Sequence, residues 1–234
     1  MKFVIANWKM NGDFELVNQI MNGIGKGRDC CKVIVCPPAA LITSFKGFEH
    51  DLGAQNCFYE EKGAFTGENS PKLLKEIGCK YVILGHSERR AIFHESDELV
   101  FKKWNAAIKC GLTPIVCIGE TLEERDKWKE VLATQLANYC ADKSLDLHKT
   151  IFAYEPIWSI GTGKVPSKRE IEEAVGFIKG IIGSERDYYA VYGGSVNGSN
   201  SAEILSINGL DGVLVGSASL KISDFNAIIN SASA

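Results

Sequence analysis

Eight short apolar runs, each followed by a stretch of helical periodicity, predict an α/β protein built as a single closed parallel (β/α)8 barrel. The runs are 3–7, 32–36, 51–55, 81–85, 113–119, 150–154, 188–192 and 212–216. Several are rich in Val and Ile without polar alternation, the pattern of parallel strands covered on both faces. An open doubly wound sheet shares this alternation but carries a glycine fingerprint after its first strand. Here the first run leads instead into Trp8-Lys9-Met10-Asn11-Gly12, which disfavours the open sheet.

Length and composition bound the reading further. The chain has 234 residues, and no linker, low-complexity run or charge shift divides it, so 1–234 is expected to form one domain. With 45% hydrophobic residues, a sizeable core is available. The net charge of −3 offers no long-range attraction to a nucleic-acid backbone, so no nucleic-acid partner is expected. No apolar run has the length of a membrane-spanning helix, and the N-terminal segment meets Asn7 too early for a secretory signal. The eight cysteines, at 30, 31, 36, 57, 79, 110, 117 and 140, include no C-x-x-C pair. They read as buried or inert thiols of a reducing, cytoplasmic compartment, and no metal is expected.

The helical segments carry their own start signals. After Ser167, the residues Ile171, Ala174, Val175, Ile178 and Ile182 fall on one helical face. Ser167 with Glu170 reads as a capping box, in which the hydroxyl accepts an otherwise orphaned N–H and the carboxylate reaches back. Thr121 with Glu124 repeats the signature ahead of a helix expected over 127–142. Ser70-Pro71 pairs an N-cap with proline at the first helical position, where its missing donor does no harm.

In such barrels the chemistry lies where strands run out into βα loops. Glu155 follows the apolar run ending at Tyr154, with Pro156 pinning the backbone after it. Apolar surroundings raise a carboxylate's proton affinity towards what a general base requires. A strand-end glutamate paired with a neighbouring cation is the plainer alternative. His86, in Gly85-His86-Ser87-Glu88-Arg89-Arg90, opens a helical turn whose N–H groups favour a neutral, hydrogen-bond-donating ring. Arg89 and Arg90 with Glu88 and Glu95 read most simply as an ion-pair network. Lys9, two residues beyond the first run, suits negative charge on a substrate, although a solvated surface lysine has the same sequence signature.

Two glycine-bearing loops, Tyr192-Gly193-Gly194-Ser195 and Gly216-Ser217-Ala218-Ser219, follow the last two runs, where this fold often binds phosphate. Tight turns alone also call for glycine. The stretch from Pro156 to Pro166 reads as a lid, with prolines at its ends, glycines at 161 and 163, and the apolar Trp158 and Ile160 between. It is not a Walker A loop, since Val165 follows Lys164.

Taken together these segments resemble the triosephosphate isomerase family along nearly the whole chain. The match is carried by Asn7-Trp8-Lys9-Met10-Asn11-Gly12, Gly53-Ala54-Gln55-Asn56, Gly63-Ala64-Phe65-Thr66-Gly67-Glu68 and the His86 segment. It continues through Cys117-Ile118-Gly119-Glu120, Ala153-Tyr154-Glu155-Pro156-Ile157-Trp158, Ile160-Gly161-Thr162-Gly163-Lys164, Tyr192-Gly193-Gly194-Ser195-Val196 and Leu214-Val215-Gly216. The resemblance implies a TIM barrel that interconverts dihydroxyacetone phosphate and D-glyceraldehyde 3-phosphate through an enediolate, without a cofactor. It implies Glu155 as the base and His86 as the neutral electrophile, a pairing that belongs to the family's known mechanism. By the same resemblance Lys9 and Asn7 stand beside the substrate oxygens and Glu88 beside the lysine. Gly161, Ser195, Gly216 and Ser217 fall where the family holds phosphate. A homodimer is implied through the loop from Cys57 to Glu68, whose Phe58, Tyr59 and Phe65 are unusually apolar for a loop.

Three residues depart from the family pattern. Ser217 replaces a second glycine, Ser159 a usual alanine, and His94 a usual glycine. Ser217 is expected to crowd its turn if its φ is positive, or to add a hydroxyl donor. Two other readings compete with the isomerase: a retaining glycosidase using Glu155 and Glu88, and a barrel kept as a binding protein.

Overall fold

Alternation along each strand decides where the core sits. The computed structural model describes residues 1–25, 30–160 and 165–233. Its strands are β1 (Lys2–Asn7), β2 (Cys31–Cys36), β3 (Asp51–Ala54), β4 (Cys79–Leu84), β5 (Thr113–Ile118), β6 (Thr150–Tyr154), β7 (Tyr188–Tyr192) and β8 (Gly212–Val215). Each pairs in parallel with the next, and β8 pairs with β1, Phe3 opposite Gly212, to close the barrel.

Odd and even positions then face different cores. Phe3 and Ile5 join Ile34, Ile83, Ile115, Ile151 and Leu214 inside the barrel. Val4 and Ala6 face outward with Val33, Val35, Val82 and Phe152, packed beneath the surrounding helices. Burial on both faces accounts for the apolar runs without polar alternation. The interior is tightly filled: a Cβ on Gly53 would lie 2.5 Å from Cys36 Sγ, too close for any other residue without movement.

The strands occupy the expected runs, with ends shifted by a residue or two. Gly85, expected inside β4, lies just beyond it at φ +64°, a conformation outside the extended region. A Cβ there would also meet Val100 at 2.9 Å. Gln55, expected inside β3, instead turns its amide onto the carbonyls of Lys9 and Cys36. Apolar runs mark burial, and burial extends past the last ladder bond.

The helix Lys168–Ile182 buries Ile171, Ala174, Val175, Ile178 and Ile182, the face anticipated from spacing. Both arms of its capping box form, Ser167 N to Glu170 Oε2 at 2.7 Å and Glu170 N to Ser167 Oγ at 3.3 Å. The Thr121–Glu124 box also forms, at 3.0 and 3.3 Å. It sits ahead of a 3-10 turn, Arg125–Lys127, and the α-helix runs only Trp128–Cys140, shorter than expected at both ends. Arg125 is drawn aside to Glu120 and Glu170, which accounts for the tighter turn. Ser70 caps the helix Pro71–Glu76 as its sequence indicates.

All eight cysteines are free thiols, four of them buried. Cys31, Cys110 and Cys140 are half-buried and Cys30 is exposed, so burial covers only half of the set read as buried or inert thiols. No helix among the described residues is long and apolar enough to cross a membrane.

Candidate active site

At the C-terminal ends of the strands, Asn7, Lys9, His86, Glu155, Ser195, Gly216 and Ser217 line one cavity of about 480 Å³. Every candidate singled out from the sequence thus meets there, except two. Glu88 lies outside the lining and reaches it through Lys9. Gly161 is outside the described residues, as is the rest of 161–164.

Glu155 is seated by two glycines. A Cβ on Gly119 would fall 1.8 Å from the Glu155 carbonyl oxygen, and one on Gly193 would fall 2.8 Å from its Cγ. Only glycine allows β5, β6 and β7 to converge this closely. The backbone is held as well, Glu155 N–H donating to Ile118 O at 2.7 Å. Glu155 is 2% exposed. Its Oε2 accepts the Ser87 N–H at 3.2 Å, and its Oε1 lies 3.4 Å from His86 Nε2. The plainer alternative, a glutamate neutralised by a nearby lysine or arginine, is not what the described residues show.

His86 caps the helix Ser87–Phe93 with its own ring, Nδ1 accepting the Glu88 N–H at 3.2 Å. A nitrogen that accepts an N–H bears no proton, so the remaining proton is on Nε2, which faces Glu155 and the cavity. The ring is fixed by the turn that follows β4, with Nε2 left to donate.

Lys9 sits at φ +53°, rare for a side-chain-bearing residue. Three bonds hold it there. Its N–H donates to Asn7 Oδ1 at 3.0 Å, its carbonyl accepts from Gln55 at 2.8 Å, and its Nζ contacts Glu88 Oε1 at 2.7 Å. Gln55, quoted above only as part of a matching segment with no role assigned to it, is a positioning residue. Its signals were an amide at the end of an apolar run and its place in the Gly53-Ala54-Gln55-Asn56 segment. Asn11 and Asn197, each in a strand-end loop that also holds a candidate, line the cavity too, as do Lys221 and Asp224, which were not anticipated.

Glu120, fully buried, ties the start of the 156–166 segment to the barrel. Its Oε1 accepts from Trp158 Nε1 at 2.9 Å, Tyr154 Oη at 3.1 Å and Arg125 at 3.1 Å. Burial next to this carboxylate holds the Tyr154 phenol well above its ordinary range. On the opposite side Ser195 Oγ donates to Ser159 O at 2.7 Å. Ile160 closes part of the cavity wall.

The departures at 217 and 94 resolve differently. Ser217 opens a 3-10 turn, Ser217–Leu220, is exposed, and has no positive φ, so the anticipated crowding is absent. His94 ends its helix at φ +55°, the left-handed position where glycine is favoured. The glycosidase alternative loses its second carboxylate, because Glu88 is paired with Lys9 and outside the cavity lining.

Comparison with known proteins gives one consistent result. A family model described as Triosephosphate isomerase matches residues 2–232. Proteins named triosephosphate isomerase from Francisella tularensis subsp. mediasiatica and Chloroherpeton thalassium are each 42% identical. The first alignment covers 99% of this chain and 97% of that protein, the second 99% and 98%. One from Clostridium novyi is 44% identical, covering 98% of both chains.

Proposed function

The chain belongs to the triosephosphate isomerase family, whose reaction interconverts dihydroxyacetone phosphate and D-glyceraldehyde 3-phosphate, and we propose how its residues divide that reaction. Glu155 takes the proton from the carbon next to the carbonyl and returns it to the neighbouring carbon. His86 Nε2–H donates to the carbonyl oxygen and stabilises the enediolate as charge develops. Lys9, held by Glu88 and Asn7, supplies fixed positive charge beside the substrate oxygens. Gly161, Ser195, Gly216 and Ser217 bind the phosphate, largely through backbone N–H groups.

The observation carrying this reading is the opposition of a buried carboxylate and an imidazole that turns Nε2 towards it, across one cavity. A proton alpha to a carbonyl is weakly acidic, so base and electrophile must act on the same enediolate. Water must be kept away as well, because an exposed phospho-enediolate can eliminate its phosphate. A coupled assay of glyceraldehyde 3-phosphate isomerisation, with Glu155→Gln alongside, tests the assignment. Activity lost in the variant supports Glu155 as base; activity retained refutes it.

Residues 1–234 act as one domain, and two copies associate through the loop from Cys57 to Glu68. Supporting this, Phe58 packs against Tyr59 and Phe65, its ring tilted to both, at 4.1 and 4.6 Å between ring centres, while Phe65 stays 40% exposed. Met10 and Phe14, just beyond Lys9, are more exposed still, an apolar surface that a second copy would cover. Eight free thiols fit a reducing, cytoplasmic setting.

A further inference from the structure

Two adjacent thiols at the N-terminal end of the barrel stand outside the proposed machinery. Cys30 is a turn residue directly before β2, and Cys31 is the first residue of that strand. In an extended strand, neighbouring side chains point to opposite faces. Here both reach one residue, just past the last helix, Ile222–Ala232. Cys30 Sγ donates to Ser233 O at 3.7 Å, and the Cys31 thiol is hydrogen-bonded to the Ser233 side chain. The Ser233 hydroxyl gives its own proton to Ile229 O at 2.8 Å, which leaves its lone pairs for that thiol. The turn at Cys30 breaks the strand alternation, so the two sulfurs converge.

The pair is both reachable and anchored. Cys30 is exposed and Cys31 half-buried. Cys30 O accepts the Lys2 N–H at 2.7 Å, and Cys31 stands opposite Lys2 in the β1–β2 ladder. The backbone beneath the thiols is therefore held by the barrel itself.

Covalent geometry decides what such a pair can bind. Neighbouring Cα atoms stand about 3.8 Å apart, whereas disulfide-bonded cysteines usually need about 4.4–6.8 Å. A direct S–S bond is thus disfavoured, while a larger soft atom can span the sulfurs through longer bonds. Among the described residues, no group of three or more His, Cys, Asp and Glu is placed to hold a metal. That argues against a tetrahedral zinc set and for a centre satisfied by two sulfurs.

We propose that Cys30 and Cys31 form a dithiol site for a soft, thiophilic centre, represented by a trivalent organoarsenical. An arsenical of the form R–As=O makes two As–S bonds there, and both thiol protons leave with its oxygen as water. Arsenic stays trivalent, so nothing is oxidised or reduced. The six residues of β2 separate the site from the cavity end of the barrel by about 17 Å.

The test uses phenylarsine oxide on the whole protein at pH 8, followed by excess monothiol and intact mass spectrometry. One reagent less one water is expected to stay on each chain, to shield Cys30 and Cys31 from iodoacetamide, and to be removed by ethanedithiol. Cys30→Ser and Cys31→Ser are each expected to lower retention more than about tenfold, because a single As–S bond lacks the intramolecular second one. A Cys110→Ser, Cys140→Ser double variant is expected to retain the reagent like the parent. Isomerase activity of the adduct is expected to stay within about twofold, since the site lies at the barrel end opposite the chemistry. No retained adduct, shielding of other cysteines instead, undiminished retention in either single variant, or a larger loss of activity overturns the proposal.

Discussion

His86 Nε2 stands 3.4 Å from Glu155 Oε1 while the other ring nitrogen accepts a backbone N–H from Glu88. The ring therefore presents its single proton to the same space the carboxylate faces. Under the proposed roles, replacing either partner removes a different half of one chemical step. Glu155→Gln is expected to lower kcat by about 10³-fold and His86→Gln by about 10²-fold, both with the fold intact by circular dichroism. Losses confined to KM in either variant would contradict these roles.

Ser217 adopts an ordinary backbone conformation, so glycine there relieves no strain. Ser217→Gly keeps the N–H and removes only an exposed hydroxyl. KM is expected to rise by no more than about threefold with kcat unchanged, the effect of one solvent-accessible hydrogen bond. A large fall in kcat would show that the turn itself depends on serine.

The 57–68 loop presents Phe65 partly exposed above Phe58. A carboxylate placed in a covered apolar contact is strongly disfavoured. Phe65→Asp is expected to sediment as a weakly active monomer. A fully active dimer from this variant would count against the proposed interface.

His94 occupies a left-handed helix end at φ +55°. Glycine adopts that conformation without the steric cost of a Cβ, although it loses more chain entropy on folding. His94→Gly is expected to stabilise the protein by about 0.5–1 kcal/mol in urea unfolding. Unchanged or reduced stability would mean that the histidine ring contributes contacts offsetting its backbone strain.

Burial raises the Cys57 and Cys79 thiols to about 12 and about 11, against an ordinary value of 9.0. A raised folded-state pKa stabilises the neutral form, so this stability is complete below the unfolded value and is lost as pH climbs through the folded one. The melting temperature is expected to decline from about pH 9 towards pH 12. At pH 8 iodoacetamide is expected to modify Cys30 well ahead of Cys36, Cys57, Cys79 and Cys117, read by peptide mass spectrometry.

Much of this protein is legible in its sequence. Burial on two faces leaves apolar runs, and orphaned helix N–H groups call for caps such as Ser167 and Ser70, because both requirements act over a few residues. Glu155, His86 and Lys9, which line one cavity, stood out as candidates because each follows an apolar run closely, a feature recognisable one loop at a time. Other features required the closed barrel. Gly119 and Gly193 are needed because three strand ends converge on Glu155, and Lys9 holds its left-handed conformation only because Gln55, 46 residues away, grips its carbonyl. The harmless backbone of Ser217, the diversion of Arg125 and the meeting of Cys30 and Cys31 at Ser233 belong to the same class. Local propensity and patterning act along the chain, whereas these contacts join residues that only barrel closure brings together.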